Sequence, residues 1–283
     1  MYCIYSDKDV TDEETNSEHI FPLTLGGKDD FTLQVSKELN SLVNREIDEK
    51  LAHCSFLAVD RRQHNAQGHR KTEIQPSRTK SLGKRPVKFV FDTSGFLQPY
   101  NPRLKTIVSI DEILQHGLKV SIPFYPYLRL RFAAKVGLAA GYLVFGDGLR
   151  RSVIAHELRS LMHLYGERHN QEVIERLKSK VWAWPYLPPQ EQKDIHALLE
   201  TLSKHIKNSF VAFITCHQEN QILIVVGIFG NLAGCIFCPT GLINIPKNNE
   251  YDLGHVIILA KHQTRRISVR ELLMDISMQR PNK

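Results

Sequence analysis

The spacing of apolar side chains predicts a helix near the N-terminus. Four apolar residues recur at i, i+3, i+4 and i+8, close to the 3.6-residue period of a helix: Leu39, Leu42, Val43 and Ile47. Three polar residues follow a neighbouring stripe at i, i+4 and i+8: Asn40, Asn44 and Asp48. Ser36 stands where its hydroxyl can accept from an unpaired amide of the first turn. We therefore expect a helix capped by Ser36, with one apolar face and one polar face able to line a site.

Later in the chain, alternating β-rich stretches are separated by longer helical patterns. Strands are predicted at residues 87–91, 106–110, 210–215, 222–229, 235–238 and 256–259. Helices are predicted at residues 111–115, 128–143, 149–165, 171–182, 190–207 and 268–278. Asp111 is expected to cap the first of these helices and Ser268 the last. Consecutive β-rich stretches such as 210–215 and 222–229 favour hairpins, so the pattern indicates an antiparallel sheet with helices.

Composition is that of a globular protein. The chain has 283 residues, enough for one large domain or two ordinary ones, and 42% of them are hydrophobic. It lacks an apolar run near the roughly 20 residues that span a bilayer, and it lacks a secretory leader pattern. Its five cysteines are irregularly spaced, which fits a reducing cytoplasm better than a disulfide framework. We expect a cytoplasmic protein in which Cys235 and Cys238 are buried structural cysteines.

Positive charge is concentrated in one polar stretch. Between Arg61 and Lys88 there are nine basic residues against a single acid, Glu73, although the whole chain carries a net charge of only +7. Basic residues on such a stretch can neutralise phosphates and release counterions, which gives affinity without sequence preference. DNA is therefore the expected partner, with a solvated linker as the alternative. Eight residues are predicted to contact the nucleic acid: Arg61, Arg62, Arg70, Lys71, Arg78, Lys80, Lys84 and Arg85.

A carboxylate and an imidazole stand side by side at Glu18 and His19. In an extended segment these adjacent side chains point to opposite faces, so the two groups must have different roles. Hydrolysis of a phosphodiester needs a base that takes a proton from water and a cation that offsets the charge building on the phosphate. His19 can supply the first, and oxygen ligands such as Glu18 can hold a hard cation such as Mg²⁺ or Mn²⁺.

These residues resemble the HNH endonuclease family. The resemblance lies in Glu18-His19-Ile20-Phe21-Pro22, Gly26-Gly27, Leu39-Asn40 and Ile47-Asp48. The family has a ββα-metal finger, with an acidic residue and a histidine on a hairpin and an asparagine or histidine on the following helix. Membership would imply a metal-dependent endonuclease that hydrolyses phosphodiester bonds in DNA. Because one such site cuts one strand, the enzyme would nick as a monomer.

The resemblance also assigns roles residue by residue. His19 is similar to the general base of the family, Glu18 to one metal ligand and Asn40 to the ligand on the helix, with Asn44 as a second candidate for that position. Relatives carry an asparagine before the helix that orients the histidine. In this chain the corresponding region reads Phe31-Thr32-Leu33, so Thr32 is the residue left to help position His19.

The chain departs from its relatives in the cysteines. Many relatives frame the hairpin with two CxxC pairs, because four thiolates bind a structural zinc. Here the pairs read Cys3-Ile4-Tyr5-Ser6 and Ser36-Lys37-Glu38-Leu39, so three of the four sulfurs are missing. No structural zinc is expected. The finger is predicted to be held by apolar packing of seven residues against the helix: Tyr2, Ile4, Tyr5, Ile20, Phe21, Leu23 and Leu25.

The predicted fold is therefore α+β, with three parts. An N-terminal ββα-metal finger occupies residues 1–58, a basic connector residues 59–86, and a larger domain with an antiparallel sheet and helices residues 87–283. Two alternatives to an autonomous nuclease stay open. The finger is catalytically inactive and only binds nucleic acid, or it cuts only when a protein partner or a second copy of the chain activates it. The family setting implied by the resemblance is restriction or antiphage defence.

Overall fold

The structure is a computed structural model that describes most of the chain. It covers residues 1–54, 57–68, 79–82, 86–92, 94, 96–120, 125, 127–164, 167–183, 190–216, 221–239 and 250–278. Of residues 79–82, 120, 167–169 and 191 only the backbone is described.

Strands and helices alternate irregularly along the chain. The strands are β1 (Tyr2–Cys3), β2 (Lys8–Asp9), β3 (Thr15–His19), β4 (Thr32–Ser36), β5 (Thr79–Leu82), β6 (Lys88–Phe91), β7 (Leu97–Asn101), β8 (Thr106–Ile107), β9 (Leu118–Val120), β10 (Lys180–Trp182), β11 (Ser209–Cys216), β12 (Gln221–Ile228), β13 (Asn231–Pro239), β14 (Gly254–Leu259) and β15 (Thr264–Ser268). The α-helices are α1 (Lys37–Val43), α2 (Glu49–Ala52), α3 (Ala58–Gln63), α4 (Ile110–His116), α5 (Leu128–Phe145), α6 (Asp147–Arg150), α7 (Val153–Met162), α8 (Glu167–Arg176), α9 (Lys193–Ile206) and α10 (Val269–Met278). The α+β class is confirmed.

The largest sheet has six antiparallel strands in the order β10-β13-β12-β11-β14-β15. Both of its faces are apolar. Successive side chains of a strand point to opposite sides, and here consecutive residues are apolar. Along β11, Val211 and Phe213 face the cluster built around α5, whereas Phe210 and Ala212 face the cluster with α9 and α10. The central strands therefore read as continuous apolar runs, and helices cover both faces.

Helix α5 is enclosed by the rest of the protein, and nearly every residue from Leu128 to Gly141 is buried. Its small residues let it approach the sheet closely. A Cβ added to Gly137 would lie 2.9 Å from Cγ2 of Ile224 on β12. Two of the buried residues of α5 are charged, Arg131 and Lys135, so each needs a partner inside the protein.

The N-terminal segment forms a hairpin followed by a helix. Strands β3 and β4 pair antiparallel, with His19 opposite Thr32. The predicted helix is confirmed as α1 and α2, joined by a π-helical turn over Asn44–Asp48. Ser36 occupies the N-cap position as predicted, but its side chain makes no capping hydrogen bond. Instead its backbone N–H donates to Cys3 Sγ at 3.3 Å.

Apolar packing stabilises this segment. Six of the seven residues predicted for this role are buried, and Leu23 is half-buried: Tyr2, Ile4, Tyr5, Ile20, Phe21 and Leu25. Phe21 meets Phe132 of α5 edge to face, with ring centroids 5.3 Å apart. The N-terminal segment thus shares one apolar core with α5 and the large sheet. The three-part division of the chain stays a prediction. The shared apolar core contains residues from both sides of its first boundary, between residues 58 and 59.

Most elements predicted after residue 86 are confirmed within a few residues. These are the helices α5, α9 and α10, the hairpin β11-β12, and the strands β6, β13 and β14. Ser268 caps α10 as predicted, since its Oγ accepts from Glu271 N at 3.0 Å. Cys235 and Cys238 are buried free cysteines, and burial raises the pKa of both thiols. The predicted strand over 106–110 is shorter, at Thr106–Ile107.

Three predicted helices need correction. The helix expected at 171–182 begins earlier, at Glu167, and ends at Arg176, while Lys180–Trp182 pairs with β13 as an edge strand. Pairing with a distant strand there overrides the local helical pattern. The helix expected at 149–165 is interrupted at Ser152, whose Oγ accepts from Ala155 N and starts a new helix.

The third correction concerns the cap of α4. Ser109 caps this helix, since its Oγ accepts from Glu112 N at 3.2 Å, so Asp111 lies inside the first turn.

Within the described part of the chain, no helix combines the length and the apolar character that crossing a membrane requires.

Candidate functional site

A cavity of about 340 Å³ lies between the β3-β4 hairpin and the helix that follows it. Four of the residues predicted for catalysis or metal binding line it together: Glu18, His19, Asn40 and Asn44. Asp48 and Glu49 belong to the same wall. The polar stripe predicted from the helical period therefore does face a common space, and His19 reaches that space from the end of β3.

Glu18 lies at the inner end of this cavity and is 6% exposed. Its Oε1 is 2.6 Å from Nζ of Lys135, a residue of α5 whose side chain is fully buried. The same ammonium lies 2.8 Å from Asp48 Oδ2 and donates to the main-chain oxygen of His19 at 3.1 Å. One lysine from the middle of the protein thus contacts both walls of the cavity.

Burial and charge act in opposite directions in this cluster. Loss of hydration raises the pKa of the Asp48 carboxyl, because it outweighs the attraction of Lys135. Burial alone would lower the pKa of the Lys135 ammonium, but the pull of Asp48 and Glu18 is stronger and raises it. Lys135 is therefore a charged group, and two carboxylates share it. Asp48 Oδ1 is buried without a hydrogen-bond partner among the described residues.

His19 has an acidic neighbour that the sequence reasoning missed. Its Nε2 lies 3.0 Å from Oδ1 of Asp29, in the loop that joins β3 to β4. A carboxylate at this distance favours the tautomer with a proton on Nε2 and orients the ring. Thr32, predicted to help position His19, stands directly opposite it in the hairpin register. Asp29, whose side chain is 88% exposed, is therefore a second candidate for orienting His19, and the role of Thr32 stays a prediction.

The two helix asparagines differ in burial. Asn40 is 9% exposed, and its Nδ2 donates to Asn16 Oδ1 at 2.9 Å, which fixes the orientation of the amide. Asn44 is exposed, and its Nδ2 donates to Glu49 Oε1 at 3.3 Å. A held amide is the better ligand, since less motion must be lost on binding. Asn40 is therefore the stronger candidate.

The predicted DNA-contacting residues are only partly described. Arg61 is 4% exposed, so its side chain does not belong to an exposed basic surface. Arg62 stacks its guanidinium over the Phe91 ring at 4.7 Å and donates to the Asp92 main-chain oxygen. Lys80 lies in β5, where only the backbone is described. The remaining predicted contacts fall outside the described residues: Arg70, Lys71, Arg78, Lys84 and Arg85.

Two residues of the site could not be assigned from the local motif. Asp29 follows Gly26-Gly27 in a loop whose path the sequence pattern does not determine. Lys135 is a lysine inside an otherwise apolar helical stretch, and this was the only signal for its burial. A charge at such a position requires a buried counter-charge, but the pattern does not say which one.

Comparison of the chain with protein-family models, with curated proteins and with solved structures gave no match. The resemblance to the HNH endonucleases therefore rests on the motif residues of the sequence.

Proposed function

We propose that this protein is a metal-dependent endonuclease of the HNH type that hydrolyses phosphodiester bonds in DNA. The observation that carries the proposal is the cavity between hairpin and helix, which is lined together by His19, Glu18 and Asn40. A base and oxygen ligands in one open space are the parts that metal-assisted phosphodiester hydrolysis requires.

The donors lining the cavity fit a hard cation. Among the described residues, no group of three or more His, Cys, Asp or Glu side chains is arranged to hold a metal ion. The proposed ligand set does not need one, because it consists of the Glu18 carboxylate and the Asn40 amide oxygen, with Asn44 as the second candidate. Mg²⁺ typically keeps several waters and takes few protein ligands. Asp48 also lines this cavity, and its Oδ1 is buried without a hydrogen-bond partner among the described residues.

Each protein group has a distinct task in this proposal. His19 takes a proton from the attacking water, and Asp29 holds the imidazole ring. Glu18 and Asn40 hold Mg²⁺ or Mn²⁺, which when bound would offset the negative charge on the phosphate and the leaving oxygen. The chain carries a net charge of +7, which favours a polyanionic substrate. Restriction or antiphage defence is the biological setting we propose.

The proposal is tested with supercoiled plasmid and purified wild-type protein, with Mg²⁺, with Mn²⁺ or with a chelator. We expect open-circular DNA in the presence of metal and intact plasmid with the chelator. Open-circular product that precedes linear product would indicate nicking, as expected of one site on one strand. Plasmid that stays supercoiled with every metal would contradict autonomous cleavage.

One observation favours the alternative of an inactive or partner-activated module that binds nucleic acid. Glu18 already has a cation at 2.6 Å in Lys135, so its carboxylate is neutralised without a metal. This reading expects DNA binding by the wild type without metal-dependent cutting, or cutting only after a protein partner or a second copy of the chain is supplied. The plasmid assay and a gel-shift assay on the same sample separate the two functions.

Replacing Asp29 by asparagine is expected to slow cleavage measurably, by about two- to fivefold. The carboxylate stabilises the His19 ring, but Asp29 is 88% exposed and exposed ion pairs contribute about 0–1 kcal/mol. The measurement is the initial nicking rate at saturating metal.

Asp30→Asn is the matched control, because the Asp30 carboxylate accepts from Thr264 N at 3.0 Å and does not contact His19 in the described contacts. Its nicking rate should equal that of the wild type. Equal rates for the two variants would show that Asp29 does not orient His19.

A further inference from the structure

We propose that Lys135 is a positioning residue for this site, holding Glu18 and His19 in place from helix α5. The inference rests on the proposed function, because it concerns the same cavity. Lys135 lies near the middle of the chain, far outside the hairpin and helix that carry the candidate ligands.

Lys135 makes two hydrogen bonds and one further ion pair with the site. Its ammonium donates to Asp48 Oδ2 and to the main-chain oxygen of His19, whereas the contact with Glu18 Oε1 is an ion pair without hydrogen-bond geometry. Nζ of Lys135 lies 2.6 Å from Glu18 Oε1, 2.8 Å from Asp48 Oδ2 and 3.1 Å from the main-chain oxygen of His19. Glu18 and His19 end strand β3, and Asp48 belongs to the helical wall. Lys135 therefore sets the position of the hairpin end relative to the helix.

Helix α5 is a rigid support for this contact. Lys135 is 0% exposed, and α5 is packed against the large sheet along most of its length. Mutation of a group that holds a metal ligand in place typically weakens metal binding by about 10–100-fold. The Glu18 carboxylate is thus held by a group whose own position is fixed by packing. A metal ligand that is held in this way is preorganised for binding.

The test must separate the effect of the Lys135 charge on metal binding from the effect of its positioning contacts. With both carboxyl groups ionised, Glu18, Asp48 and Lys135 together carry a formal charge of −1. Removing Lys135 alone would leave two buried carboxylates without a cation, which is expected to unfold the protein. The double variant Asp48→Asn/Lys135→Met leaves Glu18 as the single charge, again −1. It therefore removes the positioning contacts while keeping the wild-type charge.

The experiment compares Asp48→Asn with Asp48→Asn/Lys135→Met. Mn²⁺ affinity is measured by electron paramagnetic resonance titration, and kcat and KM for nicking are measured on a labelled duplex. We expect the double variant to bind Mn²⁺ at least about tenfold more weakly than the single variant, with a lower kcat and an unchanged KM for DNA. Removal of a positive charge alone would instead strengthen cation binding, so the two explanations predict opposite directions.

Arg131→Met is the matched control. Arg131 is a second buried cation on α5, one turn before Lys135, and it donates to the main-chain oxygens of Glu46 and Met162. Its replacement is expected to lower the melting temperature but to leave Mn²⁺ affinity within about twofold of the wild type. Circular dichroism melts establish which variants are folded.

A folded double variant that binds Mn²⁺ as tightly as Asp48→Asn would overturn the proposal. If the double variant does not fold, an NMR titration of the wild-type protein with Mn²⁺ tests the proposal instead. Mn²⁺ held by Glu18 should broaden the NMR signals of the Lys135 side chain, and sharp Lys135 signals at saturating Mn²⁺ would contradict the proposal. A wild type that binds Mn²⁺ but never nicks DNA contradicts the proposed function alone. Normal nicking by the double variant contradicts only the role of Lys135.

Discussion

The His19→Ala variant is expected to leave supercoiled plasmid intact under conditions in which the wild type nicks it. A positioned general base contributes about 10²–10⁴-fold to such a reaction, and alanine cannot accept a proton. His19 ends strand β3 and lines the cavity together with the three candidate metal ligands Glu18, Asn40 and Asn44. We therefore expect the initial nicking rate to fall by at least about a hundredfold.

A measurement of DNA affinity shows whether the His19→Ala substitution affects the cleavage step or the binding of DNA. Measured by gel shift in the presence of chelator, the affinity of His19→Ala for plasmid fragments should equal that of the wild type. His156→Ala is the control, because His156 is an exposed residue of α7 outside the cavity lining. Nicking by His19→Ala within about tenfold of the wild-type rate would mean that another group activates the water.

Gly27→Ala is expected to destabilise the fold by about 3–5 kcal/mol, at the upper end for a single substitution. An added Cβ would lie 1.8 Å from the main-chain oxygen of Phe21, and two backbone segments cannot yield as a side chain does. The loop is also fixed by a hydrogen bond from Gly27 N to Pro22 O at 3.0 Å. The Phe21 side chain is fully buried, so the segment after His19 has no room to retreat.

Thermal unfolding followed by circular dichroism checks this prediction, and a drop of about 10 °C is expected for a chain of this size. Gly68→Ala is the control, since among the described residues its Cβ would meet only the Thr24 side chain, at 3.2 Å. Its melting temperature should stay within about 2 °C of the wild type. An unchanged melting temperature for Gly27→Ala would show that the loop repacks. The sequence motif Gly26-Gly27 would then have no steric basis here.

Local patterns predicted most of the secondary structure of this protein. The helix α5, the hairpin β11-β12 and the Ser268 cap of α10 all follow from periodicity and capping within a few neighbouring residues. The same holds for the polar stripe of Asn40 and Asn44, because one helical period puts both on the face that lines the cavity. Lys180–Trp182 was predicted as helix, because its strand conformation comes from pairing with the distant strand β13.

The candidate site divides in the same way. Glu18, His19 and Asn40 lie within one short segment, so their proximity follows from a hairpin and a helix that the sequence predicts. Lys135 reaches the His19 main-chain oxygen across 116 positions of sequence, and only the packing of α5 against the hairpin brings them together. Arg61 was predicted to contact DNA from its charge, yet it is buried.

The sequence determined which side chains are available and on which face of a local element they lie. Tertiary structure alone decided which buried charges meet, because a charge in the interior is stable only beside a partner and that partner can come from any part of the chain. The Glu18–Lys135 and Asp48–Lys135 contacts are of this kind. They join helix α5 to the N-terminal hairpin and helix at the cavity where we place the chemistry of this protein.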